Sequence, residues 1–389
     1  MHRTLITAAV GLPLLAQSLA SPAAAVLPHA TLNTVATITV GERPITPVLD
    51  EARGQLYVAN SYSASISVIS TTSNAVTATI DVGTPLDDQI QQVALDSARR
   101  RLFALLPSAK KLLVIDTGTN TVLKTIVTKG YPTAMVLDAP RGRLYVLTEE
   151  PTVLLTLAPA TGAVIRTVAP PKGATVMSLN PDNGRLYMNE WRAYRGSIVA
   201  VDPRTARIVW RITDIENPSD MVPDPDRSLL YVPLSDDEDP GTLLVLDTRK
   251  HKKVASITVG MWPGMPVLDP TRNRLYLVTA NEDTVTVIDT LKNTVIGHIA
   301  TGIEPFTPVL DASATRLFVT GGKRVLMIDL ATNAVVARGR VTYASGEPVI
   351  NSAGTRLYVA NWPDLTESDG TEIDGTEIDG TVSVVAVSR

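Results

Sequence analysis

A three-residue motif, an aromatic ring between two apolar residues, returns eight times along this chain. Its copies are Leu56-Tyr57-Val58, Leu102-Phe103-Ala104, Leu144-Tyr145-Val146, Leu186-Tyr187-Met188, Leu230-Tyr231-Val232, Leu275-Tyr276-Leu277, Leu317-Phe318-Val319 and Leu357-Tyr358-Val359. The rings lie 46, 42, 42, 44, 45, 42 and 40 residues apart, a mean of 43. A period of that length, holding several short apolar runs, belongs to an array in which each unit buries its faces only against its neighbours. A residue required once per unit is filling the space between units, so these eight aromatics are read as core.

Residues 254 to 295 show the content of one unit. Val254 to Val259 alternates and is rich in β-branched residues; a loop at Gly260-Met261-Trp262-Pro263 leads to the short apolar run Pro266-Val267-Leu268; a polar turn from Asp269 to Arg274 precedes the aromatic run Leu275 to Thr279. Asn281-Glu282-Asp283 turns the chain into Thr284 to Ile288, and Asp289 to Asn293 turns it again. Period-2 runs punctuated by Asn, Asp, Gly and Pro predict short antiparallel strands. Lettered from the inside outward, the run after the proline loop is strand A, the aromatic run B, then C and D. Pro47, Pro266, Pro308 and Pro348 recur in strand A, which is tolerable at the innermost edge, where a missing N–H costs no ladder bond.

The expected architecture is therefore an all-β, eight-bladed β-propeller of four-stranded antiparallel blades, with seven blades as the alternative if one unit is irregular. The last unit has strands near Glu347 to Ile350, Leu357 to Ala360 and Thr381 to Val387 but no D strand, while Thr34 to Val40 precedes the first A strand without a blade of its own. Pairing these two termini would close the ring and leave no open sheet edge.

The sequences Leu56-Tyr57-Val58-Ala59-Asn60, Leu357-Tyr358-Val359-Ala360-Asn361 and Val285-Thr286-Val287-Ile288-Asp289-Thr290-Leu291-Lys292-Asn293 resemble the YVTN family of β-propeller repeats over nearly the whole mature chain. The resemblance implies the fold. For function it implies a range, from cell-surface and surface-layer proteins to lactonase-like enzymes and electron-transfer subunits. The departures from the repeat fall in residues 84–92, 189–197, 234–241 and 362–380.

Residues 1–25 have the form of a secretory signal: His2 and Arg3, an apolar run from Leu5 to Leu19, then Ala23-Ala24-Ala25. Residues 26–33 are read as a short N-terminal segment and 34–389 as a single propeller domain, exported to the periplasm or secreted, with no transmembrane segment and as a monomer. The chain contains no Cys, which excludes disulfides and thiolate sites, and a net charge of -4 does not suggest a nucleic-acid surface. No cofactor is expected. The mature chain keeps His29, His251 and His298, none near the channel mouth, so a histidine metal centre or a Ser-His-Asp arrangement there lacks its imidazole.

What the repeat does not demand points to function. Nine of the 17 aromatics lie outside the repeat position, and all but Trp210 fall at or beside D–A or B–C connections, which emerge on one face of a propeller. Aligned on strand A, one position reads Arg43, Gln89, Tyr131, Gly173, Asn217, Trp262, Glu304 and Ala344, and another nearer the strand reads Thr46, Gln92, Ala134, Val176, Asp220, Met265, Thr307 and Glu347. Varied charge and size beside a uniform repeat suggests a shaped pocket. The candidate ligand-binding residues are Arg43, Gln89, Tyr131, Trp191, Asn217, Asp220, Trp262, Glu304, Glu347 and Trp362. Met135, Met177 and Met221, in three consecutive A strands, are read as core filling. The acidic loops 235–241 and 366–380 are read as surface insertions, with calcium binding as the alternative.

Two functional expectations follow. In the first, the protein binds a small molecule, a glycan or an envelope protein with the D–A/B–C face. In the second, a lactonase-like hydrolase, isomerase or lyase works in the channel mouth, with Glu304, Glu347 or Asp220 as acid or base and Arg43 stabilising an anion.

Overall fold

The computed structural model describes residues 30–192, 195–205, 207–215, 218, 220–235, 240–344, 346–362 and 379–388, with backbone only at 191, 192 and 195. These form eight four-stranded antiparallel sheets arranged as an eight-bladed β-propeller, with no α-helix among the described residues. Seven blades are thereby excluded. The signal segment and most of both acidic loops lie outside the described residues.

Each blade forms because strand B is apolar on both of its faces. Tyr57 and Ala59 join Leu102, Ala104 and Leu106 of the next blade in one cluster, whereas Leu56 and Val58 join Tyr358, Val382 and Val384 of the blade before. Successive side chains of a strand point to opposite faces, so one aromatic run supplies two interfaces. The pattern recurs around the ring: Phe103, Tyr145, Tyr187, Tyr231, Tyr276, Phe318 and Tyr358 each occupy a separate interblade cluster. All eight rings are buried, as their periodicity predicts.

Strand A is the edge of every sheet and contacts the A strands of neighbouring blades. Pro266 and Pro308 lie inside it, while Pro47 and Pro348 stand just ahead of Val48–Asp50 and Val349–Ile350. The ring closes as expected, Thr31–Thr39 pairing antiparallel with Thr381–Ser388, with the paired strand starting three residues earlier than the sequence placed it. Leu32 and Ile38 of that strand enter two different interblade clusters, each burial being worth roughly 1.5–3 kcal/mol.

Residues 189–192 and 195–197, in a segment where the sequence departs from the repeat, extend a hairpin. Strand Leu186–Arg192 pairs with Arg195–Asp202 as far as Arg192 opposite Arg195. Every D strand carries a bulge at one register. The unpaired residue is Thr77, Leu123, Ile165, Val209, Val254, Ile296, Val336 or Val35 in successive blades. The seven aliphatic ones are exposed, because a bulge turns its extra residue out of the ladder.

Candidate functional site

The D–A and B–C connections share one face, here called the loop face; the A–B and C–D turns form the turn face. On the turn face the Asp that ends strand A accepts hydrogen bonds from the backbone N–H and the guanidinium of the Arg three residues on. The pairs are Asp96–Arg99, Asp138–Arg141, Asp224–Arg227 and Asp269–Arg272, with Asp50–Arg53 through the guanidinium. The same guanidinium then donates to the following blade's turn, Arg53 to the Ser97 carbonyl at 2.9 Å and Arg99 to the Ala139 carbonyl at 3.1 Å. These carboxylates are structural.

The strand-A ring on the loop face does line a cavity. Gln92, Ala134, Val176 and Asp220, joined by Gln91, Thr133 and Thr175, border about 300 Å3 at the channel across blades 2 to 5. Two side-chain amides fix its wall. Gln92 mimics a strand, donating to the Met135 carbonyl at 3.0 Å and accepting from the Met135 N–H at 2.8 Å. Asn189 accepts from the N–H groups of Thr175 and Val176, both at 2.8 Å.

Asp220 and Glu347 carry the electrostatics of the channel. Asp220 touches solvent yet is hemmed in by protein, and this burial raises its pKa above the usual carboxylate range. Glu347, half-buried, is raised by burial and then by the negative charge of Asp220, from a blade three places away. The two acids therefore sense each other across the channel. Neither has a basic partner among the described residues. Glu347 is held by its own N–H, which donates to Thr46 Oγ1 at 3.3 Å.

Around this cavity the remaining candidates separate into local groups. Arg43 stacks on Tyr62, its guanidinium carbon 4.6 Å from the ring centroid, and donates to the Tyr62 hydroxyl; Tyr62 meets Trp362 edge-on at 5.8 Å. Arg43 and Gln89 line a groove of about 350 Å3. Glu304 lies in a different groove of about 420 Å3 with Phe306, Tyr343, Lys323 and Arg324. Tyr131 lies beneath the Lys110 ammonium, 4.1 Å from the ring centroid. Trp191 has only its backbone described, opposite Gly196 in the long hairpin, and Asn217 lies outside the described residues. Arg43 and Glu304 thus line cavities other than the one that holds Asp220.

Trp262 is the most exposed aromatic of the face among the described residues, at 53%, and its backbone is left-handed at φ 52. Arg43, at the same ring position, has φ 47, and Gly173 has φ 68 there. Glycine adopts this conformation freely, whereas other residues incur about 1 kcal/mol or more. A bulky residue held in a strained backbone and open to water is a common mark of a binding surface. Leu86 and Phe306 are further exposed apolar residues of D–A connections. Met135, Met177 and Met221 are buried in three different interblade clusters, in keeping with core filling. His251 stacks on Trp210 and His298 bonds Thr286 at 3.1 Å, both remote from strand A. No cluster of three metal-ligating side chains occurs among the described residues.

No family model matches the chain, and no curated protein sequence does. Among solved structures it is similar to the Dos1 propeller, with a TM-score of 0.71 and 12% identity over 91% of this chain and 95% of that one. It is also similar to dihydro-heme d1 dehydrogenase NirN in complex with DHE, at 0.67 and 13% over 91% and 79%, and to BamB from Moraxella catarrhalis, at 0.59 and 14% over 91% and 99%. Identities this low show the β-propeller fold alone. Among the described residues no helix is long and apolar enough to cross a membrane.

Proposed function

We propose that this is an exported propeller of the YVTN-repeat kind that binds a small molecule, a glycan or an exposed group of an envelope protein at the channel mouth of its loop face. The observation that carries the reading is the cavity containing Asp220, with Glu347 as a second uncompensated acid in the channel and exposed Tyr131, Trp262 and Phe306 on the surrounding connections. Carboxylates without arginine partners favour amines and hydroxyl-rich groups, and exposed rings supply flat apolar faces for stacking. Aminosugars, neutral glycans and peptidoglycan fragments are the chemistry that fits. The NirN structure in complex with DHE supports a role in binding by analogy of fold only.

The test is a thermal-shift screen with those compounds. A ligand at a hundred times its dissociation constant stabilises by about 2.7 kcal/mol. Asp220→Asn with Trp262→Gly should abolish the shift while leaving the unliganded melting temperature close to wild type, since glycine relieves the left-handed backbone. An undiminished shift in this double variant would place the ligand elsewhere.

The raised pKa values of Asp220 and Glu347 also favour a second reading, acid–base hydrolysis or isomerisation of a lactone-like or sugar-like ring. Turnover that disappears in Asp220→Asn and in Glu347→Gln while ligand binding persists would select it.

A further inference from the structure

The turn-face ion pairs do not occur in every blade, and between blades 3 and 4 their loss leaves two arginines beside one cavity. In blades 2 and 6 the Arg that opens strand B meets the Asp that ends strand C: Arg101–Asp116 at 2.6 Å and Arg274–Asp289 at 3.1 Å. In blade 3 the corresponding Arg143 faces no acid, because strand Val153–Ala158 ends in Ala158. In blade 4 Asp202 is engaged by Arg204, and Arg185 has no ion pair among the described residues. Strand A of blade 4 also ends in Asn180 with Asn183 three residues on, in place of the Asp and Arg of blades 1, 2, 3, 5 and 6.

These departures surround a cavity of about 390 Å3 whose wall includes Arg141, Arg143, Arg185, Arg204, Asp202 and Tyr145. Arg141 is paired with Asp138 and Arg204 with Asp202, so two guanidinium charges, those of Arg143 and Arg185, remain uncompensated. Tyr145 supplies an independent observation. It is only 4% exposed, and its hydroxyl has no hydrogen-bond partner among the described residues. The equivalent Tyr57 donates to Gln55 at 2.6 Å, and Tyr187 accepts from Asn180 at 2.9 Å. Burial, followed by the charge of Asp138, raises the phenol pKa, so the group remains a donor. Unlike the enclosed, unpartnered hydroxyl of Tyr231, that of Tyr145 reaches the cavity surface, where it is free to donate to an occupant.

We infer that this cavity binds the phosphoryl group of a small phosphate ester, with Arg143 and Arg185 as charge partners and the Tyr145 hydroxyl as a third donor. Guanidinium groups match tetrahedral oxyanions through paired N–H donors, and the volume leaves room for a short polyol or headgroup beside the phosphate. The site is on the opposite face from the channel mouth and does not depend on what binds there.

Isothermal titration of the whole protein in chloride buffer with glycerol 3-phosphate and with inorganic phosphate tests it, alongside flotation with phosphatidylglycerol vesicles. Saturable binding of the free ester is expected. Arg143→Gln with Arg185→Gln should weaken it at least about tenfold, and Tyr145→Phe by a smaller factor, with unchanged melting temperatures. Arg324→Gln, on the loop face, controls for loss of charge and should leave affinity intact. Vesicle binding that is lost in the arginine double variant, without binding of free ester, would identify a lipid headgroup as the source of the phosphate and still support the site. Absence of binding to every probe, or affinity unaffected by the double variant, would overturn it.

Discussion

The two faces of the disc are built from almost the same number of connections and differ in what those connections repeat. On the turn face an Asp and an Arg recur at one spacing in five of the eight blades and tie neighbouring blades together, as in Asp50–Arg53–Ser97 and Asp96–Arg99–Ala139. On the loop face the aligned position changes from Arg43 to Gln89, Tyr131, Trp262 and Glu304. A–B and C–D turns are short links between paired strands and have one good geometry. D–A connections cross from the outermost strand of one blade to the innermost of the next, and their length and composition can vary without disturbing a ladder. Stability thus concentrates on one face and leaves the other free to specialise.

The sharpest way to break that contrast is to cut a stitch. Asp269 has a fully buried side chain held by Arg272, whose guanidinium also reaches the Ala314 carbonyl. Removing one member of a buried pair strands the other charge, at a cost of about 3–5 kcal/mol. With Arg272 about one-third exposed, Arg272→Ala should lie at the lower end of that range. Arg204→Ala, whose side chain is 86% exposed, should change stability by no more than about 0.5 kcal/mol. Urea unfolding of the two variants would measure the difference, and equal effects would remove the distinction between stitches and surface pairs.

That distinction was only partly legible in the sequence. The eight rings, the blade count, the innermost prolines and the closing strand could all be read, because each depends on local periodicity or on a missing partner that only one other segment can supply. The Asp–Arg pairs of the A–B turns also leave a trace, the Asp-x-x-Arg spacing at Asp50–Arg53, Asp96–Arg99, Asp138–Arg141, Asp224–Arg227 and Asp269–Arg272, but the carbonyl each Arg reaches in the next blade is not visible in it. The D-strand bulge also had a trace, two adjacent apolar residues such as Val122-Leu123 and Ile208-Val209 breaking the alternation. The meeting of Asp220 with Glu347 had none. They lie 127 residues apart, and nothing in a 43-residue period says which blades see each other across the channel.

Acid should erode the turn face next. Asp269 and Asp311 are pushed up by burial, but hydrogen bonds from Thr271 and Arg272, and from Ser313 and Arg316, outweigh this and hold both below the usual carboxylate range. A folded pKa below the unfolded one contributes stability that is present above the unfolded value and is lost as pH falls through the folded value. Melting temperature should therefore drop on acidification below about pH 4. The drop should be shallower in Arg272→Ala, which has already lost part of this contribution; an identical pH profile would detach the effect from the stitches.

The loop face should respond with the opposite sign and the smallest amplitude. Asp220 and Glu347 have raised pKa values in the folded protein, so their ionised forms are less comfortable there than in the unfolded chain. That penalty is complete above the folded pKa and absent below the unfolded one. Asp220→Asn should accordingly raise the melting temperature slightly at neutral pH, with the gain shrinking to nothing below about pH 4. Glu347→Gln should do the same, and the two gains should be less than additive, because each substitution also relieves the charge felt by the other. Groups kept at a cost to stability belong to a site selected for something other than folding. Loss of stability at neutral pH in either variant would instead make these acids part of the structural framework, and the two faces would then differ in sequence without differing in purpose.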